Sequence, residues 1–321
     1  MTIPDLPDPP ETALMYFAHG KLLLSGEYAV LDGALALALP ARLGQTLRIE
    51  RDREAGILSW KSLDKDGGVW YEAQFEFPEL SPKVSTSEPI TAQLIRLLEA
   101  AGVRDWDPAF GIRATTQLDF PLHWGLGSSA TIVALVAQWT RTDPYFLLEN
   151  SFGGSGYDLA CTTASGPVLY QRRDGQPSAV RVPFAPPFSD QLYFVGLNKK
   201  QSSREAIEYY RQHAGAHPSI VDTVSQLTMR FLCVETLEGM EELIWEHERL
   251  IASAINMPRA RALHFHDYWG EIKSLGAWGG DYVLATSNRP AETTRDYFKQ
   301  RGFQDFFPYD QLILAPKAEK E

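Results

Sequence analysis

A glycine- and serine-rich decapeptide, PLHWGLGSSA at Pro121–Ala130, is the feature that most restricts how this chain can fold. A run with strand character, FGIRATTQLDF, comes directly before it. A run with helix character, SSATIVALVAQWTR, begins at its two serines. Glycines let a backbone approach a ligand closely, and the first N–H groups of a helix attract anions. The segment therefore predicts a phosphate-binding turn from a strand into a helix. A serine that caps a helix after a glycine turn explains the same letters equally well.

Two nucleotide-binding patterns can be compared with this turn. GLGSSA satisfies G-x-G-x-x-[GA], and Glu149 lies about 20 residues further on, as in dinucleotide-binding oxidoreductases. In that fold the loop usually follows the first strand, whereas several strand-like segments precede it here. The sequence contains no G-x-x-x-x-G-K-[ST] loop. An oxidoreductase is therefore a rival that only the glycine pattern supports.

Composition and charge narrow the functions that this chain can have. It has 321 residues and a formal net charge of -11, which argues against a nucleic-acid partner. Two cysteines, Cys161 and Cys233, predict no disulfide framework and fit a reducing compartment. The acidic, proline-rich start is unlike a secretory signal, and no apolar run approaches the roughly 20 residues of a membrane span. We expect a cytoplasmic protein without a membrane partner, and the sequence leaves a homodimer open.

Hydrophobic periodicity predicts an α+β fold in two lobes. Strand patterns dominate Leu14–Ile49 and Gly56–Phe77, with a helix at Ile90–Gly102. After a proline-rich stretch near Phe184, helical segments dominate between Ser203 and Ile255. We therefore expect a strand-rich lobe at 1–187, a helix-rich lobe at 188–321, and a cleft between them.

Three further motifs accompany the phosphate turn. They are AHGKLLLSGEYAVLDG at Ala18–Gly33, GGSGYDLA at Gly153–Ala160 and KSLGAWGGDYVLA at Lys273–Ala285. In this order, the set resembles the kinases of galactose, homoserine, mevalonate and phosphomevalonate, the GHMP kinases. The GYDLA form resembles a branch with a Gly-Tyr-Asp-Ile-Ala signature. The motifs span most of the chain, and their combination is far more specific than any one of them.

The resemblance implies a role for each matched residue. Asp158 would be the catalytic carboxylate and Lys21 the cation that stabilises charge beside it. Alone, Asp158 fits a turn cap and Lys21 a solvated strand-edge lysine; the motif set favours the functional interpretation. The implied ATP-binding residues are Gly125, Leu126, Gly127, Ser128, Ser129 and Ala130. The implied substrate-binding residues are His19, Glu27, Tyr28, Ser155, Gly156, Lys200, Ser202, Ser203 and Gly279. The implied Mg²⁺ ligands are Ser129 and Glu149, with Asp143 as the alternative to Glu149.

The same resemblance implies an ATP- and Mg²⁺-dependent kinase of a small anionic substrate. Tyr28 in GEY resembles phosphomevalonate kinases more than mevalonate kinases, in which histidine is usual. Lys199–Ala206 resembles a segment that faces substrate phosphate in the phosphomevalonate branch, and it fits an exposed helix start equally well. The function implied is transfer of the γ-phosphoryl group to mevalonate or phosphomevalonate. A kinase-like protein that has lost catalysis and only binds a metabolite is the alternative.

Two departures from the family pattern bear on these expectations. Only Thr131–Phe152 separates GLGSSA from GGSGYDLA, where many members place two full helices and an acidic metal ligand. Trp278 interrupts a run that usually consists of small residues. We expect its indole to narrow the loop or to stack on another group, which would alter substrate or nucleotide contacts.

Two other segments indicate structure only. HFHDYW at His264–Trp269 fits a surface helix, on which His264 and His266 point to different faces and form no metal site. EELIWEHERLI, which begins at Glu241, reads as a helix whose Leu and Trp positions belong to the core.

Overall fold

The computed structural model describes residues 13–105, 109–198, 203–213, 218–276, 278 and 280–314; at 203–206, 213 and 218 it describes the backbone only. It has the α+β composition that the sequence predicts. The strands are β1 (Leu14–Ser25), β2 (Ala36–Asp52), β3 (Ile57–Leu63), β4 (Val69–Glu76), β5 (Ser81–Ser85), β6 (Gly111–Leu118), β7 (Val168–Arg173), β8 (Gln176–Arg181), β9 (Leu192–Gly196), β10 (Ile272–Leu275), β11 (Tyr282–Thr286) and β12 (Phe306–Pro308). The helices are α1 (Glu88–Ala100), α2 (Ser128–Thr140), α3 (Pro144–Asn150), α4 (Tyr157–Thr162), α5 (Ser203–His213), α6 (Pro218–Leu232), α7 (Leu237–Ala254), α8 (Ala260–His264), α9 (Ala291–Gln300) and α10 (Tyr309–Leu312).

The chain forms two compact units that each use separate stretches of sequence. The first unit contains the residues up to Gly20, Leu43–Leu122 and Gly127–Thr163. The second contains Lys21–Arg42, His123–Leu126 and the residues from Ala164 onward. The predicted lobes at 1–187 and 188–321 are a different division, based on composition along the chain, and they stay a prediction.

The first unit is built on strands in the order β5–β4–β3–β6, with the second half of β2 beside β6. β2 and β6 are antiparallel from Gln45↔Leu118 to Asp52↔Gly111, while β3 and β6 are parallel. Helices α1 to α4 belong to this unit, and its core gathers buried apolar residues of strands and helices, among them Trp60, Phe75, Leu97 and Trp139. A mixed sheet of this order differs from the parallel sheet of dinucleotide-binding oxidoreductases.

The second unit contains a four-stranded antiparallel sheet in the order β10–β11–β9–β12. It also contains the first half of β2, which pairs with β7 at Ala36↔Tyr170, and β7 pairs with β8. Helices α5 to α10 complete it. Among the described residues, no helix combines the length and the apolar character that crossing a membrane requires.

Local sequence signals explain where several of these elements begin. Asp143 precedes α3 and accepts a hydrogen bond from the Phe146 N–H at 2.8 Å, with Pro144 at the first helical position. Thr236 caps α7 in the same way through the Gly239 N–H at 3.1 Å. The predicted helices at Ile90–Gly102 and after the glycine turn are confirmed as α1 and α2.

Two expectations about the second half are wrong. α8 ends at His264, so HFHDYW is not a surface helix: the chain turns there, and Phe265 and Tyr268 are both buried in an aromatic cluster. α7 exists as predicted, but the Trp245 side chain is 44% exposed rather than part of the core. The next two buried positions after Ile244 are His247 and Glu248, which are polar.

Candidate functional site

The glycine–serine loop is a strand-to-helix turn with two residues that require glycine. Gly125 and Gly127 have φ angles of 65° and 91°, a region that residues other than glycine rarely adopt. Gly127 is the N-cap of α2, and Ser128 and Ser129 are already helical. No side chain caps this helix, so the alternative in which a serine serves as the N-cap is wrong. The first N–H groups of α2 keep the arrangement that attracts anions.

The first turn of α2 combines exposed serines with a buried anchor. Ser129 is exposed and Ser128 is half-buried. One residue further in, the buried Thr131 hydroxyl donates to Gln45 Oε1 at 2.6 Å, and it also lies 2.9 Å from the Ser128 carbonyl oxygen. Behind it, α2 is almost entirely buried. The helix start is therefore fixed from its inner side while its serine hydroxyls face outward.

Lys21 lies directly against the start of the loop, within the second unit. Its backbone N–H donates to the Leu126 carbonyl at 2.9 Å, and its ammonium donates to the Gly125 carbonyl at 3.1 Å. The side chain is only 9% exposed. An ammonium has three donors, and the Gly125 carbonyl takes one of them.

Asp281, within the Lys273–Ala285 motif, contacts the same glycine. A Cβ atom built on Gly125 would overlap the Asp281 carboxylate. Asp281 itself has a φ angle of 53°, uncommon for a residue with a side chain. The carboxylate and the Lys21 ammonium therefore both lie at Gly125, which places opposite charges beside the loop backbone.

Asp158 lies in the first turn of α4, in the first unit. Gly154 and Gly156 before it have φ angles of 114° and 88°, and Gly156 is the N-cap of α4. The Asp158 Oδ1 atom accepts from the Leu159 N–H at 3.0 Å. α4 packs against α2, the helix that begins at the serines. Burial, and then the nearby Asp158 carboxylate, raise the pKa of Tyr145 to about 12, so this phenol stays protonated beside the carboxylate.

The two acidic candidates for the metal site, Asp143 and Glu149, differ in their positions on α3. Asp143 is the side-chain cap of α3 and already accepts the Phe146 N–H. Glu149 lies on the exposed part of α3. Oxygen donors of this kind are those that Mg²⁺ prefers, and the Ser129 hydroxyl is exposed in the same unit. The assignment of Ser129 and Glu149 as ligands stays a prediction.

The GEY motif follows β1 as a tight, buried turn. A Cβ on Gly26 would overlap Ala36, and Gly26 has a φ of 106°. Tyr28 has a φ of 59°, and its hydroxyl accepts from the Trp278 backbone N–H at 2.8 Å. Glu27 is fully buried. Their predicted contacts with substrate stay predictions.

Glu27 belongs to a buried group of four ionisable side chains within the second unit. Lys273 of β10 donates to Glu27 Oε1. His247 Nε2 lies 3.2 Å from Glu27 Oε2, and the neighbouring Glu248 accepts from the Ser274 N–H at 2.9 Å. We call Glu27, His247, Glu248 and Lys273 the buried charge cluster. All four are essentially inaccessible to solvent.

Burial decides the protonation states in this cluster. Desolvation raises the pKa of Glu248 to about 8, with the Lys273 ammonium opposing the shift. Desolvation also raises the pKa of Glu27 against the attraction of Lys273, and it holds the pKa of His247 well below its ordinary value. At neutral pH the imidazole is therefore uncharged and most of Glu248 is protonated. Lys273 and Glu27 form an ion pair by their geometry.

Trp278 points into the protein core rather than toward a ligand. Its side chain is 3% exposed, and its indole N–H donates to the Pro258 carbonyl at 2.9 Å. It packs in a cluster with Tyr28 and Tyr210 of α5, whose rings stack at 5.3 Å. The indole therefore packs on other side chains of the core, and its effect on substrate or nucleotide contacts stays a prediction.

The remaining predicted residues are placed as follows. His19 lies on β1 with its ring edge against Phe17 at 4.9 Å, and Ser155 is buried just before α4. Ser203 begins α5, but its side chain lies outside the described part of the structure, as do Lys200, Ser202 and Gly279 entirely. Their roles stay predictions.

Sequence reasoning missed four side chains that shape this region: Asp281, Lys273, His247 and Glu248. A signal for two of them is present in α7. The buried positions of that helix recur at Met240, Leu243 and Ile251, and the same helical spacing includes 247 and 248, where the residues are polar. Polar residues on an apolar stripe indicate buried partners.

The comparisons with known proteins concern the fold. The sequence matches no family model, and no curated protein matches it. Among solved structures, the mevalonate kinase of L. major in complex with R-mevalonate is 16% identical, with a TM-score of 0.69 over 99% of this chain and 100% of that chain. The phosphomevalonate kinase of Streptococcus pneumoniae, in complex with phosphomevalonate and AMPPNP, is 18% identical, with a TM-score of 0.67 over 92% of this chain and 99% of that one.

The likeness extends to a third kinase. The galactokinase of Lactococcus lactis, in complex with galactose, is 13% identical and has a TM-score of 0.65 over 92% of this chain and 93% of that chain. These three proteins differ in the substrates that they bind, but all have one fold. The fold that the motifs imply is confirmed: this chain has the fold that these kinases of mevalonate, phosphomevalonate and galactose share.

Proposed function

We propose that this chain is an ATP- and Mg²⁺-dependent kinase that phosphorylates a small anionic metabolite, either mevalonate or phosphomevalonate. The observation that carries the proposal is the double anchoring of Lys21, by its backbone and by its ammonium, on the turn that leads into α2. A buried lysine held on a glycine turn before a helix N-terminus is suited to phosphate.

Phosphoryl transfer needs mainly positioning and neutralisation of charge. The backbone N–H groups at Gly125–Ser129 and the positive end of α2 would hold the ATP phosphates, because both present donors to an anion. The Lys21 ammonium would offset the charge that develops there. Mg²⁺, held by the Ser129 hydroxyl and a carboxylate, would neutralise the β- and γ-phosphates.

Asp158 is the group proposed to handle the acceptor proton. As the acceptor oxygen bonds to the γ-phosphorus, the bond from that phosphorus to the bridging oxygen breaks and ADP leaves. The acceptor hydroxyl gives its proton to the Asp158 carboxylate, or is oriented by it. Three features support a mevalonate-pathway acceptor: the GEY motif, the Lys199–Ala206 segment, and the likeness to two solved kinases of mevalonate and phosphomevalonate.

The test is ADP release by the purified chain with ATP and Mg²⁺ against mevalonate, phosphomevalonate, galactose and homoserine, with binding of AMPPNP measured in parallel by calorimetry. Release that depends on mevalonate or phosphomevalonate supports the proposal and selects the acceptor. Release with galactose or homoserine would support the kinase activity but contradict the mevalonate-pathway acceptor. AMPPNP binding without release for any acceptor would favour a protein that has lost catalysis.

A further inference from the structure

The buried charge cluster connects two segments that both touch the phosphate turn. β1 carries Lys21, whose atoms bond to Gly125 and Leu126, and the turn after β1 carries Glu27. The segment after β10 ends at Asp281, whose carboxylate lies on Gly125. Glu27 and Lys273 join these two segments directly, although 246 positions separate them in the sequence.

Helix α7 supplies the other half of this connection through adjacent residues. His247 Nε2 lies 3.2 Å from Glu27 Oε2 and 3.4 Å from the Gly26 N–H. The Gly26 N–H donates the hydrogen bond to Nε2, and Glu27 Oε2 has no hydrogen-bond partner among the described residues. Glu248 holds the other segment, because its two oxygens lie 2.9 Å from the Ser274 N–H and 3.4 Å from the Ser274 hydroxyl.

We infer that His247 and Glu248 are positioning residues of the proposed phosphoryl-transfer site, which fix the GEY turn and the β10 segment beneath the phosphate turn. This inference rests on the proposed function for its catalytic consequence, but not for its structural one. Neither residue belongs to the motifs that the sequence matched. His247 Nδ1 is buried without a hydrogen-bond partner among the described residues, so the Glu27 and Gly26 contacts at Nε2 are its polar attachment.

The charges around Glu248 make the arrangement sensitive to alkaline pH. It faces Lys273 from β10, Glu27 from the turn after β1, His247 on its own helix, and Arg259 from the segment before α8. Protonated Glu248 leaves the Lys273–Glu27 pair as the only charges in the cluster. Loss of that proton adds a second buried anion beside Glu27, and the Lys273 ammonium and the Ser274 N–H offset its burial and its repulsion from Glu27 only in part.

The first test compares two substitutions at one position. His247→Leu removes the nitrogen that accepts from Gly26 and lies against Glu27, while His247→Gln keeps a polar group near the place of Nε2. We expect kcat to fall by at least about tenfold in His247→Leu with the KM for ATP changed less than about threefold, because misplacement acts on the transition state. His247→Gln should recover most of the loss. Glu242→Gln, at an exposed position of the same helix, is the control with unchanged kinetics.

The second test is the pH profile of kcat/KM. The wild type should lose activity above about pH 8, and Glu248→Gln, which imitates the protonated acid, should move that limb upward by about one pH unit or more. An unchanged limb in Glu248→Gln, or a folded His247→Leu with the kcat of the wild type, would overturn the inference.

A third measurement separates this inference from the proposed function. Hydrogen exchange is followed in peptides that cover 20–33 and 272–286, whether or not any acceptor has been found. His247→Leu should accelerate exchange in both peptides at least about threefold, while His247→Gln and Glu242→Gln should not. Unchanged exchange in His247→Leu contradicts the positioning role even in an active kinase. Accelerated exchange in a chain without kinase activity supports the positioning role and leaves only the proposed function rejected.

Discussion

At the scale of single residues, the role of Asp158 can be tested by the smallest change available. Asp158→Asn keeps the shape of the side chain but removes its charge and basicity. We expect phosphoryl transfer to fall by at least about 100-fold, the usual contribution of a general base, while AMPPNP still binds. The measurement is single-turnover transfer together with calorimetry. Asp52→Asn, which breaks only a surface ion pair with Arg113, is the control, and normal turnover in Asp158→Asn would contradict the mechanism.

Gly125 allows a second prediction at this scale. Gly125→Ala adds a Cβ that meets the Asp281 carboxylate, and it places alanine at a φ of +65°. Gly56→Ala is the matched control, because Gly56 has a φ of +72° but open space around its Cβ. We expect both variants to lose about 1 kcal/mol of unfolding free energy from backbone strain, and only Gly125→Ala to weaken AMPPNP binding, by about tenfold or more. Equal AMPPNP affinity in the two variants would contradict the overlap at Gly125.

Single residues also show what local sequence can and cannot predict. A glycine pattern at a strand–helix junction indicates positive φ angles, and Gly125 and Gly127 have them. The partner of a buried charge lies wherever the fold brings it. Glu27 was recognised through its motif, but its contact with Lys273 joins residues 246 positions apart. No local pattern contains that pairing, so the buried charge cluster could not be predicted.

At the scale of elements, the predictions were correct where the hydrophobic periodicity is strong and proline or glycine marks the start of a helix. α1 has a regular apolar stripe with proline near its start, and α2 begins at the glycine turn as expected. The prediction of a surface helix at HFHDYW was wrong because its aromatic residues pack in the core. Phe265 and Tyr268 are both buried, and the Tyr268 hydroxyl donates to the Thr286 carbonyl at 2.7 Å. Burial of neighbouring aromatic side chains outweighs the weak helix propensity of such a segment.

Trp278 supplies the prediction that belongs to this scale, because its indole fastens the segment after β10 to the core. Trp278→Ala should cost about 3 to 5 kcal/mol of unfolding free energy through the cavity and the lost bond to Pro258. Trp278→Phe should cost about 1 to 3 kcal/mol, mainly for the unpaired carbonyl. Urea denaturation measures both. An Ala variant of normal stability with an altered KM for the acceptor would instead place the indole in a substrate site.

At the scale of the whole molecule, the α+β class followed from the order of strand-rich and helix-rich segments, and the GHMP kinase fold followed from the order of motifs. The compact units did not follow from composition. β1 and β2 each contribute residues to both units. Composition along the chain does not indicate at which residue a strand leaves one unit and enters the other. Such a division depends on pairings between distant segments.

The stability of the whole molecule should depend on pH through Glu248, and the sign of the effect can be worked out. Its pKa is raised from an ordinary 4.5 to about 8 in the folded chain, so the folded state holds a proton that the unfolded state releases. This stabilisation is fully present below about pH 4.5 and is lost as the pH rises through 8. The lowered pKa of His247 acts oppositely, because the unfolded chain binds its proton below about pH 6.5.

Glu248→Gln isolates the carboxyl group, since the effects of His247 and Glu27 are shared with the wild type and largely cancel in the difference. We expect the unfolding free energy of Glu248→Gln, minus that of the wild type, to rise by up to about 1.4 kcal/mol per pH unit between the two pKa values of Glu248 and then to level off. Urea denaturation across this range measures it, with Glu242→Gln as the control on the exposed face of α7. A difference independent of pH would mean that Glu248 is ionised in the folded chain, and the charge balance assigned to the buried charge cluster would then be wrong.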